Sequence, residues 1–270
     1  MKPRVPSLDL TAKRKLLIGV VHLLPLPGAP RWGGSMDAVI NAARADAVAY
    51  ERGGADAIIV ENFGDAPFAK DNVPAETVAA MAAAGSAVRA AVKLPLGFNV
   101  LRNDAHAALA LCAACGGSFI RVNILSGVMV TDQGVIEGRA FEVLRARRAL
   151  APDVKILADV HVTHAAPLAP VSIAQAALDT FERGLADALI VSGAGTGKAT
   201  DSAKALDVKR ACPSVPVLIG SGVTAESAQA FETAADGFIV GSSLKRGGRL
   251  SNPVDARRVA ALRRALGGPQ

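Results

Sequence analysis

The chain has 270 residues, 51% of them apolar and 20% charged, and its 30 basic and 24 acidic side chains give a net charge of +6. That apolar content excludes a disordered chain and suffices for one large core, while three cysteines exclude a disulfide-stapled scaffold and fit a reducing compartment. One Trp and one Tyr offer little surface on which bases can stack, and the basic clusters around Lys13 and Arg257 read as solvated segments, so no nucleic-acid partner is expected.

The stretch MKPRVPSLDLTAKRK, residues 1–15, has no apolar core and reads as an N-terminal extension rather than a secretory signal. The first predicted strand, LLIGVVHL (Leu16–Leu23), is far shorter than the roughly 20 apolar residues that a membrane span needs. No transmembrane segment and a cytoplasmic location are therefore expected. A helical pattern, MDAVINAARADAVAYERGG, leads to a second strand, DAIIVEN (Asp56–Asn62), and a second helix, PAETVAAMAAAGSAVRAAV, leads to PLGFNVL (Pro95–Leu101). The next strand, SFIRVN (Ser118–Asn123), follows LALCAACGG, whose Cys112 and Cys115 close a helix. A reactive CxxC sits at a helix N-terminus, where the dipole favours thiolate, so this pair reads as structural. Then come VKILADVH (Val154–His161), DALIVSG (Asp187–Gly193), PVLIGSG (Pro216–Gly222) and DGFIVGSS (Asp236–Ser243). The seventh helix is expected in TAESAQAFETAA and the eighth in VDARRVAALRRAL.

Near-continuous apolar strands alternating with helices imply a parallel sheet buried on both faces. Eight such units predict a single (β/α)8 barrel domain over residues 1–270, with a doubly wound open sheet as the alternative. In a barrel, chemistry collects at the C-terminal ends of the strands, and the polar residues of this chain do so. Strand one ends in His22, strand two in Glu61 and Asn62, and strand three in Asn99 followed by Arg102 and Asn103. Strand four carries Arg121 and Asn123, and strand five carries Asp159 and His161. Residues two apart on a strand share a face, so each of these last pairs is expected to point into the mouth together.

Glu61, Asp159, His161, His22 and Arg121 are the catalytic candidates, and Asn62, Asn99, Arg102, Asn103, Asn123 and Thr196 the substrate-binding ones. The set His22, Glu61, Asp159 and His161 also offers ligands to a divalent cation, although the spacing does not decide this. No lysine lies at a strand's C-terminal end, which argues against Schiff-base chemistry. Glycine turns after strands seven and eight, where barrels commonly bind phosphate, make Gly220, Ser221, Gly222, Gly241 and Ser242 phosphate candidates, with Gly193 beside them. VSGAGTGKATD (Val191–Asp201) imitates a P-loop, but Ser192 stands where the first Gly belongs and Ala199 follows Lys198. It reads as a substrate-covering loop, with Thr196 and Lys198 as contacts.

The runs VVHLLPLPGAP, VENFGDAPF, GFNVLRND, FIRVNILSG, LADVHVTHA, IGSGVT and DGFIVGSSLKRGG resemble the BtpA/SgcQ family, in order, across almost the whole chain. The resemblance implies a phosphate-binding (β/α)8 barrel. Its founding member is linked to photosystem I biogenesis, and other members sit near sugar-utilisation genes. One departure stands out: Thr163 occupies the place of an expected family lysine. The leading expectation is an enzyme acting on a small phosphorylated metabolite, a phosphosugar or nucleoside-derived phosphate, by acid–base lyase or isomerase chemistry. The alternatives are a non-catalytic assembly factor for a membrane complex and a metal-dependent phosphoester or triphosphate hydrolase. A homo-oligomer is left open.

Overall fold

The computed structural model describes residues 6–193, 195 and 200–267. The barrel strands are β1 (Leu16–His22), β2 (Ala57–Glu61), β3 (Leu96–Asn99), β4 (Phe119–Val122), β7 (Lys155–Val160), β9 (Ala188–Ser192), β10 (Val217–Gly220) and β11 (Gly237–Val240). They close in the order β1-β11-β10-β9-β7-β4-β3-β2, every neighbouring pair parallel. The eight expected strands and the closed ring are present, and the open-sheet alternative falls.

The helices are α1 (Met36–Arg52), α2 (Ala75–Ala91), α3 (Ala105–Cys115), α4 (Ala140–Leu150), α5 (Ile173–Leu178), α6 (Ser202–Ala211) and α7 (Ala256–Ala265). Helix α5 runs on into a π-helical turn at Asp179–Arg183. The seventh unit departs from expectation, because TAESAQAFETAA forms only a 3-10 turn at Ala228–Phe231. Thr224 and Ser227 bond to each other there through side chain and backbone, the reciprocal pairing of a capping box, yet the turn that follows ends at Phe231. A second departure is a small antiparallel sheet, β6-β5-β8, built from β5 (Val128–Thr131), β6 (Gly134–Glu137) and β8 (Ala165–Pro167). Nothing in the barrel repeat announced it.

Period two divides the strands cleanly. Leu17, Val21, Ile58, Val60, Phe98, Ile120, Ile156, Leu189 and Val217 face outward into the core beneath the helices. Ile18, Val20, Ala57, Ile59, Phe119, Leu157, Ile190, Leu218 and Ile239 fill the lumen. Leu8 is buried in that lumen cluster with Leu10 and Ala12 packed against it, so the segment read as an extension contributes to the core.

The recurrent Asp before the strands also has a cause. The Asp56 carboxylate accepts from Leu17 N, Asp187 from Ile156 N and Asp236 from Val217 N, each at 2.8 Å. Each caps the start of a neighbouring strand, and each is paired with a cation: Arg263, Arg147 and Lys209 respectively. These charges sit at the strand starts, the end of a barrel that carries stability rather than chemistry.

Candidate active site at the barrel mouth

Continuing the lumen alternation by one step on every strand gives the uppermost layer: His22, Glu61, Asn99, Arg121, Asp159, Ser192, Gly220 and Gly241. The apolar lumen therefore ends in polar side chains from six strands, with Gly220 and Gly241 at the remaining two places. Above it lies a cavity of about 270 Å³ lined by His22, Glu61, Asn99, Arg102, Arg121 and Asn123. Its rim includes Ser221, Gly222, Gly241 and Ser242. The candidates drawn from strands one to four and from the last two glycine turns thus meet in one place, except Asn62, Asn103 and Gly220.

The floor is a fixed ion pair. Arg121 donates through Nε to Asp159 Oδ2 and through Nη2 to Asp159 Oδ1, both at 2.9 Å. Asp159 also accepts from Asn123 Nδ2 at 3.1 Å and Ser192 Oγ at 3.0 Å, and its side chain is wholly buried. Four donated hydrogen bonds engage this carboxylate, and two of them hold Arg121 in place. Such bidentate pairing fixes the guanidinium as well as its charge. Ser192, which sequence reading missed, bridges the pair; its place at the end of β9 in the same alternation was the available signal.

Glu61 is the carboxylate left free to titrate. Burial pushes it up, partly countered by Arg121 and aided by Asp159, with the midpoint reaching about 7. His22 Nε2 lies 3.7 Å from Glu61 Oε1, and the His22 ring packs edge-on to Phe63 at 4.9 Å. Burial, with Lys245 and Arg121 nearby, pushes His22 down to about 3, so the imidazole is neutral. His22 Nδ1, Asn99 Oδ1 and Arg102 Nε are buried and unpaired, whereas buried polar atoms are normally satisfied.

Other candidates have structural duties. Asn62 accepts from Leu101 N at 2.8 Å and donates to Asp65, while Asn103 accepts from Ile124 N and donates to Ile124 O, both at 2.9 Å. Both asparagines bind loops together, not the cavity. Gly193 O accepts from Thr163 Oγ1 at 3.1 Å, and Gly193 and Gly220 lie outside the mouth lining. Thr163 itself lines the mouth. Thr196 and Lys198 lie outside the described residues. Lys245 is buried against Asp46, its Nζ 3.0 Å from Oδ2.

His161 is a clear correction. It lies one residue past β7 at φ 52, which breaks the alternation, and it lines a neighbouring cavity instead of the mouth. With His161 elsewhere and Asp159 committed to Arg121, the four proposed cation ligands do not converge. Among the described residues no three His, Cys, Asp or Glu side chains gather as a metal centre requires. The phosphate candidates are placed as expected for Ser221, Gly222, Gly241 and Ser242, but without the helix expected behind strand seven. Ser221 at φ 72 and Gly222 at φ 67 turn the chain sharply at the rim instead. Residues that sequence reading did not assign, Arg31, Asp132 and Ser243, complete the lining, as does His164. Cys112 and Cys115 are free and buried, the thiol of Cys112 donating to Phe119 O at 3.3 Å, consistent with a structural pair.

The BtpA family matches residues 13–267. The photosystem I biogenesis protein BtpA of Synechocystis is 50% identical over 93% of this chain and 87% of its own. A Pyrococcus furiosus protein of uncharacterised role is 48% identical over 94% of this chain and 95% of its own. Among solved structures, N-(5'-phosphoribosyl)anthranilate isomerase from Pyrococcus furiosus superposes with a TM-score of 0.57 at 13% identity, covering 93% of this chain and 98% of that one. That likeness concerns the fold. Among the described residues, no helix is long and apolar enough to cross a membrane.

Proposed function

This chain belongs to the BtpA family, and we propose that its barrel mouth is the active site of an enzyme acting on a small phosphorylated metabolite by proton transfer. The observation that carries the reading is a buried carboxyl, Glu61, whose proton is held near neutral pH in a cavity rimmed by two tight turns and positive charge. A general acid–base works best when its midpoint lies near the working pH, and burial of Glu61 brings about that match.

The roles follow from the contacts. Glu61 removes a proton from a carbon or hydroxyl of the bound substrate and returns it to a neighbouring position. Neutral His22, beside Glu61, hydrogen-bonds the oxygen on which charge develops; a cationic imidazole is not needed for this. Arg121, immobilised by Asp159 and Ser192, supplies a positive field that needs no reorganisation during the reaction. Arg31 and Arg102 add charge at the lining, opposed by Asp132 and the half-ionised Glu61. The Ser221–Gly222 and Gly241–Ser242 turns present backbone N–H and hydroxyl groups to a phosphate. Chemistry of this kind is isomerase or lyase chemistry on a phosphosugar or a similar phosphate ester.

A panel of phosphosugars in deuterated water tests the reading. The wild type is expected to exchange a C–H position of one compound with solvent, and Glu61→Gln to lose that exchange while binding is kept. If phosphate esters neither raise the melting temperature nor perturb the amides of Ser221 and Gly222, the proposal fails.

The biogenesis role named for the Synechocystis relative motivates a second reading, a peripheral assembly factor. On that reading Glu61→Gln leaves assembly intact, because a scaffold does not use a titrating carboxyl.

A further inference from the structure

Beside the mouth lies a second cavity of about 240 Å³ between the β5–β6 hairpin, the end of β7 and helix α5. Asn123 and Val162 line both cavities, so a thin wall separates them. The second differs in character: its lining includes Ile124, Met129, Val160, Val162, Leu168 and Val171. Leu168 and Val171 remain 60% and 41% exposed at its edge.

Its polar groups are nearly all committed within the protein. Ser126 and Thr180 hydrogen-bond each other at 2.8 Å, and Thr180 donates to Ala176 O at 2.7 Å. Asp159 accepts four hydrogen bonds, one of them from Asn123. His161 Nε2, by contrast, is buried without a partner. The residue that carries it sits at φ 52, a left-handed conformation that residues with a Cβ avoid. Burial and Lys204 push the His161 midpoint down, which keeps the ring neutral in these apolar surroundings.

We propose that this cavity is a binding site for a compact, uncharged, planar apolar group carrying one hydrogen-bonding atom that meets His161 Nε2. The volume lies below the roughly 300–1,000 Å³ of drug-sized sites, which limits the ligand to a single small ring system. An anionic group is excluded because Asp159 and Asp179 both line the cavity, Asp179 accepting from the Gln175 amide, and the other walls are mostly apolar. The site goes beyond the phosphate reading of the mouth and stands without it.

Indole serves as the probe, read on the full chain labelled at the methionine methyls. The chain has four methionines, and Met129 lines the cavity whereas Met81 is buried beneath the helices. The Met129 signal is expected to shift and saturate at millimolar indole while that of Met81 stays still. Ala176→Phe, which fills the cavity, is expected to abolish the shift. Leu168→Asp places a charge at an exposed rim position and leaves the fold unstrained, so it covers the case in which Ala176→Phe misfolds. His161→Gly, which accepts the same φ, is expected to weaken indole about threefold or more. A Met129 signal that does not move, or one that saturates equally in Leu168→Asp and His161→Gly, overturns the proposal. Inorganic phosphate, followed on the Gly222 amide, reports on the mouth separately, so failure of one reading is distinguishable from failure of the other.

Discussion

Replacing Glu61 by Gln removes the titration on which the proposed chemistry depends and leaves a signature in stability. The Glu61 midpoint is raised from an ordinary 4.5 to about 7. A raised carboxyl favours the folded state fully when protonated, below 4.5, and that contribution is lost as pH climbs to 7. At 1.36 kcal/mol per pH unit, the interval amounts to about 3 kcal/mol. Gln is neutral throughout, so Glu61→Gln is expected to gain about 3 kcal/mol on the wild type between about pH 4.5 and pH 8.5. His22 has the opposite slope, because its midpoint is depressed from 6.5 to about 3 and its contribution is lost as pH falls through that window. Both proteins contain His22, so its effect cancels in the difference. Chemical denaturation of the two proteins across the pH range measures the gain, and carboxyl carbon NMR of Glu61 gives the midpoint directly. A stability difference that is flat with pH, or a Glu61 midpoint near its ordinary value, would refute the assignment of Glu61 as the acid–base group.

Three further outcomes follow from contacts in the barrel. Asp159→Asn leaves Arg121 buried beside a neutral partner, which is expected to cost roughly 3 kcal/mol and lower the melting temperature by roughly 6–12 °C; an unchanged melting temperature would deny Asp159 its clamping role. Gly241→Ala puts a Cβ 2.4 Å from His22 Cε1, so the imidazole must move. Any substrate turned over by the wild type is expected to react at least tenfold more slowly, with only a modest loss of stability, roughly 1–3 kcal/mol; full activity would place His22 outside the reaction. Asp236→Ala deprives Val217 N and Lys209 of their acceptor at the opposite end of the barrel. It is expected to cost roughly 1–3 kcal/mol in denaturant while leaving the Glu61 midpoint unmoved.

The ring was legible because each strand is short, apolar and followed by a polar residue, and because Asp56, Asp187 and Asp236 recur in one phrase. Their function, capping a neighbouring strand, was not legible, since it depends on which strand lies alongside. The β5–β6 hairpin escaped notice because four-residue strands carry little periodicity against a barrel repeat. At the site, alternation placed His22, Glu61, Asn99 and Arg121 correctly. The same rule failed for His161 because the strand stops at Val160 and φ becomes positive. Asn62 and Asn103 looked like substrate contacts because loop asparagines at strand ends are chemically suited to either task. Only their bonds to Leu101 and Ile124 reveal the structural one.

The division of labour within the polar ring explains why two carboxylates of similar placement behave differently. Asp159 and Glu61 both continue the lumen face, yet Asp159 faces Arg121, Asn123 and Ser192, whereas Glu61 faces His22 at 3.7 Å. One accepts four hydrogen bonds, and the other is desolvated beside a neutral ring. Because Arg121 is consumed by Asp159, it can only moderate the rise in Glu61 from a distance. Were Arg121 to turn towards Glu61, it would hold that carboxylate ionised and remove the neutral-pH proton exchange. In the proposed function, the Asp159–Arg121 clamp is thus what keeps Glu61 able to exchange its proton. It belongs to the strands, while the proposed phosphate contacts belong to the loops of the rim.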